Sequence, residues 1–334
     1  MSEPHAIAQD QDRPPVPDLV VARAITPFYL PHRPVRGRLV RLGPLAEALL
    51  TRHDGHPAVT VLTGQALALA AALASALKFT GSFSVQAKGD GPVPMLLADC
   101  TDGGALRGYA RAEPDRLADL LATDPAPGAA ALLGRGYLAF TVDQGAEMEQ
   151  HQGIVAIEGA DLAEMALHYF RTSEQLDCFV RLAAARLPGK TGPAWHAGAL
   201  ILEKVPGAGG IAPDLDEAGQ AEAWLTARTL ADTLTDAELL DEALTPEDLL
   251  FRLFGGEGVA ADKPRPLSYG CRCSKSRLAG ILEGFEADDL DHMTVDGDIV
   301  MTCEFCNVDF RFPRTGVRGS DSSDINGHDP AASA

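Results

Sequence analysis

Cys271-Arg272-Cys273 and Cys303-Glu304-Phe305-Cys306 constrain this chain more than any other feature. Four of its six cysteines stand in these two tight pairs. Each pair presents two sulfurs to one point, so together they complete a tetrahedral four-sulfur site. Such a site suits Zn2+, with Zn–S bonds of about 2.3 Å. The same spacing admits two short-range disulfides, which need Cα atoms roughly 4.4–6.8 Å apart. Both chemistries are open to the same four thiols.

The residues between the pairs read as a small folded module. Leu278, Ile281, Leu282 and Phe285 follow the i, i+3, i+4, i+7 pattern of a one-sided helix. Asp288, Asp289 and Asp291 make a polar connection. Met293-Thr294-Val295 and Ile299-Val300-Met301 flank Asp296-Gly297, a hairpin turn signal, and the second strand runs into Cys303. Val308, Phe310 and Phe312 alternate with polar residues and predict one more strand. A module this small buries little apolar surface, and a metal held by thiolates supplies the missing stability. One reading is a permanently closed structural zinc ribbon. A sharper one is a redox switch, because four soft thiolates are also oxidisable nucleophiles. Arg272, Lys275 and Arg277 lie close in sequence to the first pair and favour thiolate. Catalytic zinc fits less well, since four thiolates leave no open position for water. Nothing in the spacing of His292 recommends it as a substitute ligand.

Composition bounds the function. At 334 residues the chain has room for two or three domains. Its net charge of −19 opposes nucleic acid or an anionic membrane as the main partner, because both demand a basic footprint. Clustered cysteines point to a reducing compartment rather than a secreted disulfide framework. The start of the chain, to about Val21, is polar and proline-bearing. It lacks a basic start followed by an apolar run, so a disordered extension is expected rather than a signal peptide.

Order is expected from about Ala24. Val35–Arg41 reads as a strand and Pro44–Leu50 as a short helix. His53 and His56 form a His-x-x-His pair without a third ligand, and a surface loop explains them better than a metal. Val59–Leu77 reads as a long, buried, alanine-rich helix. Its almost wholly apolar part, Ala66–Leu77, is shorter than the ~20 residues that span a bilayer. Gly89-Asp90-Gly91 lies between strand patterns, so a hairpin is expected rather than a phosphate loop, which leads into a helix. Strands are expected at Leu106–Arg111, Gly136–Val142, Gly153–Ile157, Cys178–Leu182 and Ala197–Leu202, with a Pro/Ala-rich loop reaching to about Ala131. Asp161 is placed to cap a helix over Leu162–Phe170. Cys178 reads as an inert core thiol. There is no Ser-His-Asp order, paired-carboxylate pattern or nucleotide fingerprint. Pro206-Gly207-Ala208-Gly209-Gly210 marks a boundary. Acidic helices follow at about Glu217–Leu234, Ala237–Leu244 and from Thr245, the last with an apolar face of Leu249, Leu250, Leu253 and Phe254.

Taken together, these stretches resemble the heat shock protein 33 family of redox-regulated bacterial chaperones, from about Pro34 to Phe312. The resemblance is carried by Leu77-Lys78-Phe79 with Val85-Gln86 and Gly89-Asp90-Gly91-Pro92, then Arg107-Gly108 with Ala110-Arg111. Tyr169-Phe170 with Ser173-Glu174-Gln175-Leu176, Arg252-Leu253 and the two cysteine pairs follow in the same order. It implies that Cys271, Cys273, Cys303 and Cys306 bind one zinc per chain in a reduced, inactive, monomeric protein. Oxidation then pairs Cys271 with Cys273 and Cys303 with Cys306, releases the metal, unfolds the linker and favours a homodimer. That form holds unfolded or oxidatively damaged clients in the cytoplasm without ATP and is not an enzyme.

The expected fold class is α+β. A disordered extension (1–23) precedes a mixed α/β core with antiparallel-rich sheets (24–205). An acidic helical linker (206–262), a small C-terminal zinc-binding domain carrying the redox switch (263–315) and a disordered tail (316–334) follow. The rival functions are a dithiol–disulfide oxidoreductase using Cys303-x-x-Cys306 and a zinc-ribbon nucleic-acid binder.

Overall fold

The structure, a computed structural model, describes residues 12–13, 16–145, 151–189, 192–205 and 215–317. The expected boundary at Pro206–Gly210, most of the N-terminal extension and the tail from 318 onward lie outside these residues. The chain divides into two compact units. One is Pro17–Gly270; the other joins Cys271–Ala334 with Met1–Val16.

The larger unit opens with β1 (Val20–Leu30), β2 (Val35–Arg41), α1 (Pro44–Leu50) and α2 (Pro57–Ala76). Next come β3 (Ser82–Gly89), β4 (Met95–Thr101), β5 (Ala105–Arg111), α3 (Pro114–Thr123), α4 (Ala129–Leu133), β6 (Gly136–Asp143) and β7 (His151–Ala156). It continues with α5 (Leu162–Tyr169), β8 (Cys178–Leu187) and β9 (Ala194–Lys204). The helices α6 (Glu217–Asp232), α7 (Asp236–Leu240) and α8 (Pro246–Phe254) precede the short strands β10 (Ala260–Ala261) and β11 (Arg265–Tyr269).

Among the described residues, eleven strands form one mixed sheet in the order β7-β6-β3-β4-β5-β11-β1-β2-β9-β8, with β10 on β1. Every pairing is antiparallel except β11 with β5. Strands from both halves of this sheet pack on α2. That helix is apolar on most of its circumference, as a largely enclosed helix must be, and Ala66 through Ala72 are completely buried. By length and composition alone α2 would cross a membrane, but most of it lies inside the protein, so the core reading holds.

The sheet is covered on its second face as well. In β9, Ala197, Ala199 and Ile201 face the core around α2. Leu200 and Leu202 face a second core made with Ala227, Ala231, Leu239, Leu249, Leu250, Leu253 and Phe254 of α6–α8. A strand buried on both faces reads as a continuous apolar run rather than an alternation. Ala197–Leu202 is such a run.

Several expectations are corrected. The stretch read as a loop to Ala131 holds α3 and α4. Pro114 sits at the first helical turn, and Leu117, Leu120 and Leu121 line one face against the core. Order begins before Ala24, because Val20 and Val21 already pair with β11. β11, which falls within the span expected for the C-terminal domain, instead completes the large sheet between β5 and β1. The helix expected over Ala237–Leu244 stops at Leu240, where the Asp241 side chain accepts from the Ala243 amide in a turn.

The smaller unit contains α9 (Lys275–Leu282), α10 (Ala287–His292), β12 (Thr294–Val295), β13 (Asp298–Thr302) and β14 (Asp309–Pro313), the strands pairing in that order. Asp296 and Gly297 both take positive φ, 53° and 86°, the geometry of a two-residue hairpin turn whose twist matches its strands. The expected polar connection is the helix α10. Of the four apolar residues expected on one face of α9, only Leu282 is fully buried, and Ile281 and Phe285 are exposed.

Candidate metal centre

Two turns deliver the four sulfurs. The first pair ends at Ser274, whose hydroxyl caps α9 by accepting from the Arg277 amide at 3.2 Å. The second pair closes a knuckle after β13. The Cys303 carbonyl accepts from Asn307 N at 2.7 Å, and Cys303 N donates to Val308 O at 3.0 Å. Asn307 adopts the left-handed conformation at φ 54°, one of few residues to do so readily. The knuckle also points the amides of Cys306 and Phe305 at the Cys303 sulfur.

All four cysteines are buried, and their Sγ atoms lie within 4.8 Å of one another. Separations are 3.3 Å for Cys271–Cys273, 3.7 Å for Cys271–Cys303 and 3.5 Å for Cys273–Cys306. A tetrahedron built on Zn–S bonds of ~2.3 Å has edges of about 3.8 Å, close to these values. A disulfide would place two sulfurs at ~2.05 Å. The donor set therefore fits a thiophilic cation, and the thiols are not joined.

Electrostatics point the same way. Cys303 is held far below an ordinary thiol, chiefly because the Cys271 and Cys306 thiols donate to its sulfur and the backbone amides add to this. Cys306 is pushed up by its hydrogen bonds with Cys271 and Cys303, and by burial. Cys273 is pushed up to about 12, first by burial and then by its bond with Cys271. One thiolate is welcome in this pocket and further ones are resisted. A divalent cation would supply the compensating charge, and its binding would displace the remaining protons. The basic residues near the first pair are not the main cause, and the Lys275 ammonium instead lies 5.6 Å from the centre of the Phe312 ring.

The cluster brings together all four cysteines expected from the sequence and no histidine. Among the described residues it is the only group placed to hold a metal. His292 lies on α10 with Nδ1 2.6 Å from the Asp288 carbonyl. The His56 side chain caps α2 by accepting from Ala58 N at 3.2 Å. Burial pushes Cys178 up to about 12, as expected of an unreactive thiol. The glycine-rich turn is a hairpin between β3 and β4, stitched to the chain before β6 by Asp90 N to Arg135 O, Gly91 N to Leu133 O and Val93 N to Leu132 O. Sequence reasoning missed two residues of the N-terminal extension. Asp12 accepts from the Lys275 and Ser276 amides, and Arg13 donates to the Cys271 carbonyl.

The family model described as Hsp33 protein matches residues 24–313. A 33 kDa chaperonin of Caulobacter vibrioides (strain NA1000 / CB15N) is 38% identical over 299 residues, covering 89% of this chain and 97% of the relative. A 33 kDa chaperonin of Pseudomonas paraeruginosa is 35% identical over 292 residues, covering 87% and 91%. The crystal structure of the 33 kDa chaperonin, a heat shock protein 33 homologue, from Thermotoga maritima shares the fold. It has a TM-score of 0.68 and 21% identity, and 88% of this chain and 96% of that one are covered. The chain belongs to the heat shock protein 33 family.

Proposed function

We propose that this protein is an ATP-independent holdase chaperone switched on by oxidation of Cys271, Cys273, Cys303 and Cys306. The observation that carries the reading is the set of four buried sulfurs at tetrahedral spacing, in a unit whose other buried apolar side chains among the described residues are Leu282, Leu290, Ile299, Phe310, Phe312 and Val317. The names of the relatives, chaperonins from Caulobacter and Pseudomonas, support the chaperone part.

In the reduced state Cys271, Cys273, Cys303 and Cys306 would hold one zinc, which would supply charge compensation and cross-link the two turns. Cys271 pairs with Cys273 and Cys303 with Cys306 when peroxide arrives. Each thiolate pair gives up two electrons and forms one S–S bond, and one peroxide takes those electrons with two protons from solvent to become two waters. A disulfide sulfur is a far weaker ligand than a thiolate, so the paired cysteines would no longer hold a metal and the smaller unit would lose that brace.

The apolar surface to be uncovered lies in the larger unit. Leu249, Leu250, Leu253 and Phe254 of α8 rest on the outer face of the sheet, each burial worth ~2 kcal/mol before chain entropy is charged against it. Release of α6–α8 would expose Phe28, Leu39, Leu200 and Leu202 as a surface for unfolded or oxidatively damaged clients. Activation favours a homodimer over the reduced monomer. The net charge of −19 disfavours nucleic acid or an anionic membrane as partner, and the clustered cysteines favour a reducing, cytoplasmic setting.

Cys303→Ser with Cys306→Ser tests the assignment. The variant should retain no zinc and show no peroxide response. Wild-type zinc content and wild-type oxidant response in that variant would overturn it.

A further inference from the structure

We propose that Asp12 and Arg13 are positioning residues for the first cysteine pair, gripping the chain at Cys271 and just after Cys273 and slowing loss of the metal. This rests on the four-thiolate reading above.

The first amides of a helix have no partner within it. In α9, which begins two residues after Cys273, these are Lys275, Ser276 and Arg277. Ser274 Oγ serves the Arg277 amide at 3.2 Å. Asp12 serves the other two, its carbonyl accepting from Lys275 N at 2.9 Å and its Oδ2 from Ser276 N at 2.8 Å. At the first member of the pair, Arg13 Nη2 donates to the Cys271 carbonyl at 2.6 Å. Two consecutive residues, more than 250 positions away in sequence, thus hold both ends of a three-residue segment that carries two of the four sulfurs. All these residues lie in one compact unit.

The grip matters because little else restrains this arm. α9 is eight residues long and buries only Leu282 completely, and helices of that length are marginal without outside support. A wandering Cys271 or Cys273 breaks the tetrahedron and leaves a thiolate open to competing ligands. Asp12 and Arg13 precede residue 24, where the match to the family model begins, so the grip lies in a part of this chain that the family model does not cover.

The test uses full-length, reduced, zinc-loaded protein without oxidant, challenged with an excess of a chromogenic chelator. Asp12→Ala combined with Arg13→Ala should release zinc about three- to tenfold faster than wild type, the span expected from losing one or two net hydrogen bonds. Arg13→Lys and Asp12→Asn, which keep a donor and an acceptor, should lie closer to wild type. A generic stability effect would not show this rescue. Amide hydrogen exchange at residues 274–281 should accelerate in the alanine variant while that of α2 stays unchanged. Zinc-loaded wild type and alanine variant releasing metal at equal rates would overturn the proposal alone. Wild type that holds no zinc would overturn the metal reading and this proposal with it.

Discussion

The ring of Phe254 stacks on that of Phe28, with centroids 5.6 Å apart and planes inclined by 26°. Phe254 ends α8 and Phe28 sits in β1, so this pair ties the acidic helical layer to the sheet. Both rings are buried. Gly37, paired with Phe28 across β1 and β2, leaves the space: a Cβ there would lie 2.3 Å from the Phe28 ring.

Phe254→Ala should therefore loosen the helical layer more than the sheet. Removing a buried aromatic ring costs about 3–5 kcal/mol. Hydrogen exchange over residues 217–254 should quicken in the reduced protein, and partial protection of an unfolding client should arise without peroxide. Exchange at the wild-type rate would contradict the role given to this ring pair.

Arg41 holds the same layer through polar bonds. From β2 its guanidinium donates to the carbonyls of Glu238 (2.7 Å), Leu239 (2.8 Å) and Leu244, around the C-terminus of α7. Arg41→Met keeps the stem but strands these acceptors. The loss should be about 2 kcal/mol, read as a lower urea midpoint for the reduced protein.

Cys178 gives a pH prediction. Its thiol is raised from 9.0 to about 12, first by burial and then by Glu203 and Asp177. The folded state favours the protonated thiol, so this contribution to stability is complete below pH 9 and disappears as pH rises through 12. At pH 9 alkylation of Cys178 should be at least about tenfold slower in the folded protein than in urea, because only the thiolate reacts. Equal rates, followed by peptide mapping, would contradict the assignment of Cys178 as inert.

Gly91→Ala tests the structural reading of the glycine-rich turn. A Cβ there would meet the Leu132 carbonyl at 2.4 Å, so the hairpin must part from the chain before β6. Destabilisation of about 2–4 kcal/mol is expected in urea titration. A variant as stable as wild type would contradict the close approach.

Much of this was legible because local chemistry dictated it. The four cysteines, the Asp296-Gly297 turn, the Asp161 cap and the Thr245-Pro246 helix start each carry their signal within a few residues, and the structure places all of them accordingly. Failures had different physical causes. α3 was hidden because Pro and Asp around Leu117, Leu120 and Leu121 resemble a loop until its apolar face is matched to a core. β1 and β11 depend on each other across more than 200 residues, and neither has a strong local pattern. Asp12 and Arg13 act on α9 and Cys271 from a polar, proline-bearing segment, whose composition says nothing of its distant partner. The second core was foreshadowed by the unbroken apolar run of Ala197–Leu202, which needs cover on both faces.

A single titration tests the central claim most directly. Peroxide is added to the reduced protein at mildly raised temperature, while zinc release and aggregation of an unfolding client are followed together. The account predicts that about one zinc per chain leaves as aggregation is suppressed, and that a dithiol reductant with added zinc reverses both. Zinc that stays bound, or leaves without any suppression, would contradict it.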